Sequence, residues 1–215
     1  MRRRTGAPMG ARVNAWAVCG VLAGGVSVVD SVPYVRDILR GRTRPYRATW
    51  GVWTTVGIIA FLAQVADGAS WSLLMVGAQA VGMTVVFGLS ISRGTGRLGV
   101  VDVALIAVAA GGIVGWYASS RPLFATVCVV VADLAGVVLM LPKTWRDPGS
   151  ETPSSFVLAG VAGVLGTVAV GAVDPSLLLY PGYFGAVNAG LAGVIVLRRR
   201  ILQLSVPLTD EPSSA

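Results

Sequence analysis

The chain has 215 residues, 54% of them hydrophobic and 13% charged, with a net charge of +7 and no histidine. Soluble domains keep about a quarter of their residues charged, so the composition excludes one, and the missing histidines exclude histidine-based acid or base catalysis and histidine zinc ligands. The mean hydropathy of +0.75 predicts instead that the excess apolar surface lies in lipid.

Apolar runs of about 18 residues or more mark helices able to cross a hydrocarbon layer about 30 Å thick, at about 1.5 Å of rise per residue. A polar tail over 1–13 precedes spans at 14–33, 49–66 and 70–92. Further spans follow at 98–118, 122–142, 155–173 and 176–197, and then a tail over 198–215. The prediction is an all-α transmembrane protein of seven helices with short loops and no soluble domain, so any function lies between the helices. The basic start and first apolar run also suggest a cleaved signal with Cys19 as lipid-attachment point. The run continues past Cys19, and Trp16, Ala17 and Val18 fit such a site poorly, so a first span is expected.

Threading seven spans sorts the basic residues unevenly. One side collects twelve, from Arg36, Arg40, Arg42, Arg44, Arg47, Arg93 and Arg97 to Lys143, Arg146 and Arg198 to Arg200. The other side has five, Arg2, Arg3, Arg4, Arg12 and Arg121. The positive-inside bias then places the N-terminus outside and the C-terminus in the cytoplasm of a cell-membrane protein. Arg2 to Arg4 argue the other way, and a start at Met9 removes that conflict. Because the basic residues sit at span ends rather than in one patch, they explain topology and do not indicate a nucleic-acid partner.

Sliding the sequence by 109 residues lays Cys19 on Cys128, Pro33 on Pro142 and Thr43 on Thr152 without a gap. Five further identities, at Val18, Val21, Ala23, Val28 and Val29, make eight matches in the 26 positions from 18 to 43. Each copy holds three spans, and the span at 98–118 is left as a linker. An odd number of spans per copy needs that extra crossing if the copies are to share an orientation. The expected organisation is a first triple-helix bundle at 14–92, a linker helix at 98–118 and a second bundle at 122–197, a 3+1+3 arrangement. Both cysteines fall inside spans as small apolar residues, and no cofactor or metal site is indicated.

Polar side chains inside spans are costly without a partner, so they are candidate site residues. Gln79 lies near the centre of the third span and Asn188 near that of the seventh, and the 109-residue shift superposes them. Two such carboxamides offer donors and acceptors for a polar solute, or a plain interhelical hydrogen bond. Trp50 and Trp53, one helical turn apart, offer a stacking face, while Trp50 also fits an interfacial anchor. Asp133 is deep in its span, where the charged form of a carboxylate is disfavoured, the property a proton-coupling site needs, although a structural aspartate fits as well. Asp30 and Asp102 are nearer span ends and are expected to reach water. Ala159, Gly163 and Thr167, with Gly111 and Gly115, are small residues spaced for close helix packing. Pro33 and Pro142 are expected to end their helices, and with Pro181 they are candidate hinges.

Seven spans, with a proline closing the first and fifth and a short polar loop ending in threonine ten residues later, resemble the PQ-loop and SWEET superfamily of small-solute transporters. The resemblance runs over roughly 14 to 198. It departs from the PQ pattern where Tyr34 and Lys143 replace the glutamine after proline, and the second loop has Glu151 before its threonine where the first has Arg42. The resemblance implies two bundles around a central pathway, the same N-out orientation, and a sugar contact at Asn188, with Gln79 as a longer variant of the equivalent asparagine. The Trp50 and Trp53 pair is also similar to one in PnuC vitamin-precursor carriers, though there it belongs to the other half. The expected function is carriage of a small polar solute, sugar-like and uncharged, with the lipid bilayer as the other partner. The alternatives are a nucleoside-like vitamin-precursor carrier and a non-transporting receptor or assembly factor. An enzyme is not expected, and a homo-oligomer is compatible with the sequence without support from it.

Overall fold

The computed structural model describes residues 15–66, 71–96 and 122–204, with scattered positions between 99 and 111. Among the described residues every long element is an α-helix: α1 (Ala15–Leu39), α2 (Arg47–Ala66), α3 (Leu73–Arg93), α4 (Pro122–Arg146), α5 (Pro153–Ala169) and α6 (Pro175–Leu204), with a 3-10 turn at Pro148–Ser150. Three of the six open on proline, whose missing N–H is no loss in a first helical turn. Five helices are long and apolar enough to cross a membrane, and α5, with 17 residues, is shorter. The expected linker at 98–118, with Asp102 and Gly115, lies largely outside the described residues, although those described between 100 and 111 are helical. The chain ends, 1–14 and 205–215, are also outside them.

Several expected boundaries are corrected. Pro33 and Pro142 do not end their helices, since α1 continues to Leu39 and α4 to Arg146. A proline removes only one hydrogen bond of the ladder, and the turns beyond it are held by contacts across the loops described below. The sixth expected span, 155–173, stops at Ala169, because Gly171 adopts φ 67°, outside the helical region. The last helix runs to Leu204, so 198–204 is not tail. Arg198 Nε donates to Trp145 O and Arg199 Nε to Pro148 O, each at 3.0 Å, which ties this helical end to the neighbouring loop.

The helices close into a ring. α3 packs against both α1 and α2, and α6 against both α4 and α5, while α1 meets α5 and α2 meets α4. The ends are sorted by polar contacts: Arg47 donates to Ser90 O and Gly96 O, Arg93 to Leu39 O, and Arg199 to the 148–151 turn. The C-terminal ends of α1, α3, α4 and α6 therefore gather with the N-terminal ends of α2 and α5. The outward faces are apolar, with Val28, Val32, Val81 and Val164 all exposed, as a lipid-facing surface requires.

Small residues set the closest approach. A Cβ added at Gly163 on α5 would run into the backbone of α6, 2.5 Å from Gly185 Cα and 3.0 Å from Pro181 O. Thr167 closes its hydroxyl on Gly163 O of its own helix at 2.8 Å. Pro181, inside α6, thus lies at this contact, whereas Gly111 has no described residue within 4 Å of an added Cβ.

Candidate functional site

All six helices contribute to the wall of one internal cavity of about 50 Å³, room for about four waters at the usual 10–15 Å³ of probe volume each. Gln79 and Asn188 both line it, as do Trp50, Trp53 and Asp133. The residues singled out for solute contact are thus brought to one space, while the three prolines are not on its wall.

Each carboxamide has a local partner. Gln79 Nε2 donates to Asp30 Oδ2, and Ser31 donates to the other oxygen, Oδ1, at 3.0 Å. Asp30 was expected to reach water and does not: it is 4% exposed and lines the cavity. Its rotation about α1, which sequence depth does not reveal, turns it inward. Asn188 Nδ2 donates to Phe184 O, one turn back on its own helix, at 2.9 Å. That bond leaves its carbonyl oxygen free of any described donor.

Trp53 donates its indole N–H to Asp133 O at 3.2 Å and lies against Gly136, so it fastens α2 to α4 while showing part of its ring to the cavity. Trp50 is 9% exposed, packs edge to face on Trp53 with centroids 5.2 Å apart, and donates to Tyr34 Oη at 3.3 Å. An interfacial anchor would be half in solvent or headgroups, so that reading of Trp50 is corrected. Asp133 is buried and accepts from Tyr183 Oη of α6 at 2.8 Å.

One end of the cavity is closed by residues that the sequence marked only as departures from a motif. Tyr34, on the cavity wall, donates to Glu151 Oε2 at 2.8 Å, and Lys143 forms an ion pair with Oε1 of the same carboxylate. Beside them Thr43 and Thr152 meet hydroxyl to hydroxyl at 2.7 Å, and Thr152 reaches Asp37 Oδ2 at 3.1 Å. Arg44 N bonds Ser150 O at 3.2 Å, and Lys143 also donates to Arg44 O. The two donors to Glu151 each directly follow a proline, Tyr34 after Pro33 and Lys143 after Pro142, and with it form a latch. The signal that would have found them is their equivalence under the 109-residue shift, with Glu151 directly before the loop threonine.

Burial pushes the Glu151 carboxyl above its ordinary value, while the Lys143 ammonium and the Tyr34 hydroxyl pull it back. With its folded value raised, the stability carried by this group is full below the unfolded value and declines as pH rises through the folded one. Lys143→Met is expected to steepen that decline. It leaves a buried carboxylate unpaired and costs about 3 kcal/mol at neutral pH, a deficit that shrinks in acid as Glu151 takes up a proton. Adding Glu151→Gln should restore most of the loss. Thermal unfolding across pH in detergent checks this, and equal stability of single and double variants would reject the pair as the fastening.

Comparisons of the chain with protein-family models, with curated proteins and with solved structures return no match.

Proposed function

We propose that this chain is a multi-pass membrane carrier for a small polar solute, which it moves by alternating access through the cavity between two bundles. The bundles are α1 to α3 and α4 to α6, two like-oriented repeats joined by a linker crossing, with the N-terminus outside and the C-terminus in the cytoplasm. The observation that carries the reading is that Gln79 and Asn188, superposed by the 109-residue shift, line one cavity from opposite bundles. The ring order supports it, because exchanging the two triplets turns the α1 and α5 seam into the α4 and α2 seam. The cavity is too small for a hexose, so the form described is a contracted one, fastened at the Glu151 end. Opening that end requires these contacts to part, with Pro33 and Pro142 beside them as the hinges.

Uptake into proteoliposomes, with sugars and nucleosides as the first panel, is the test. Asn188→Ala and Gln79→Ala are each expected to lower uptake about tenfold, the worth of about 1.4 kcal/mol for one hydrogen bond; thermal unfolding should be unchanged for Asn188→Ala and lowered for Gln79→Ala, which takes a donor from buried Asp30. A well-folded protein that moves none of a broad panel of neutral and charged solutes would end the carrier reading.

A further inference from the structure

Asp30 and Asp133 approach the cavity from opposite bundles, one on α1 and one on α4, and they are 4% and 3% exposed. Among the described residues no lysine or arginine lines the same space. Carboxylates removed from water need compensation by charge or by several donors. Asp30 has two donors, Gln79 and Ser31, whereas Asp133 has one, Tyr183 on Oδ2, and its Oδ1 has no described donor. A second open acceptor is near: Ser155 Oγ, on the cavity wall and only 8% exposed, makes no hydrogen bond among the described residues. The remaining wall includes the rings of Trp50, Trp53 and Tyr34, packed with centroids 4.8 and 5.2 Å apart, whose faces attract cations.

From this arrangement we infer that the solute is a small organic cation carrying a primary ammonium group, which Asp133 receives with Asp30 opposite it, while Ser155 and Asn188 take a hydroxyl or similar group at the other end. A metal ion fits less well. Hard cations take six or more oxygens, and no cluster of three carboxylate, thiol or imidazole side chains exists among the described residues. An uncharged sugar fits less well too, since it brings no counter-charge to Asp133, which has a single described donor. The inference rests on the carrier reading and narrows its substrate class, replacing the uncharged solute that the sequence suggests.

The probes are 4-amino-1-butanol and 1,4-butanediol, which match in size and differ by an ammonium in place of a hydroxyl. Thermal stabilisation of the full-length protein and competition for proteoliposome uptake are measured with both. The expected result is apparent binding at least tenfold tighter for the amine, with Asp133→Asn and, independently, Asp30→Asn bringing the ratio toward one. Equal or tighter binding of the diol, or an unchanged ratio in both variants, overturns the cation assignment. So does uptake of neutral solutes alone, though that result leaves the carrier reading intact. Absence of uptake for every solute, charged or neutral, removes the carrier reading and the assignment with it.

Discussion

Cysteines in place of Thr43 and Thr152, in a chain whose Cys19 and Cys128 have been changed to serine, are expected to abolish uptake on oxidation and to restore it on reduction. The two hydroxyls are in contact at 2.7 Å although they are 109 residues apart, and both are buried at the fastened end of the ring. A disulfide needs its Cβ carbons about 4 Å apart, a separation that such a pair is placed to meet. The bond would staple the α1 to α2 loop to the α4 to α5 loop, so the end held by Glu151 could not part. Loss of at least about tenfold in uptake is expected, along with added stability of up to about 4.7 kcal/mol, the chain-entropy limit for closing a loop of about 100 residues. Intact mass reports formation of the bond. Full transport by the cross-linked protein would mean that this end never opens, and the alternating cycle would fall.

A large loss of folding stability is expected at Gly163. Even alanine there sets a methyl group against Gly185 Cα at 2.5 Å and Pro181 O at 3.0 Å. These are backbone atoms, so no rotamer change relieves the clash and α5 must move off α6. Overpacking of this kind costs about 1–3 kcal/mol when side chains can yield, and about 3 kcal/mol or more is expected here. Gly193→Ala on α6 is the matched control, because an added Cβ at that position meets nothing within 4 Å; its effect should stay within about 0.5 kcal/mol. Monodisperse yield and midpoint of thermal unfolding separate the two. Equal behaviour would show that the α5 to α6 contact is looser than drawn.

Much of the helical layout was legible because apolar run length is a direct measure of what lipid tolerates. Five of the expected spans correspond to helices long enough to cross. The errors have local causes. Hydropathy does not register a backbone turn, so Val170, Ala172 and Val173 extended the sixth span past the point where Gly171 ends it. The rule that proline stops a helix is a rule about unsupported turns, and those after Pro33 and Pro142 are supported across the loops. That Gln79 and Asn188, superposed by the shift, line a common space agrees with their matching depth near the centres of their spans. The long-range partners of Gln79, Asp133 and Glu151 were not legible. Asp30 is 49 residues from Gln79, Tyr183 is 50 from Asp133, and Tyr34 is 117 from Glu151. Pairings at that separation depend on how each helix is rotated, and periodicity in a helix apolar on every side does not fix rotation.

Tyr34 and Lys143 occupy the same place in their respective halves, yet one gives a phenol and the other an ammonium to a single carboxylate. Two identical three-helix subunits, assembled as a pair, would have to present the same residue twice. Two first halves would bring together two phenols and, at position 42, two arginines; two second halves would bring two ammonium–carboxylate couples and no phenol. The divergence of the two copies is therefore what allows a division of labour at this spot: Lys143 and Glu151 come from the second, and Tyr34 completes the set from the first.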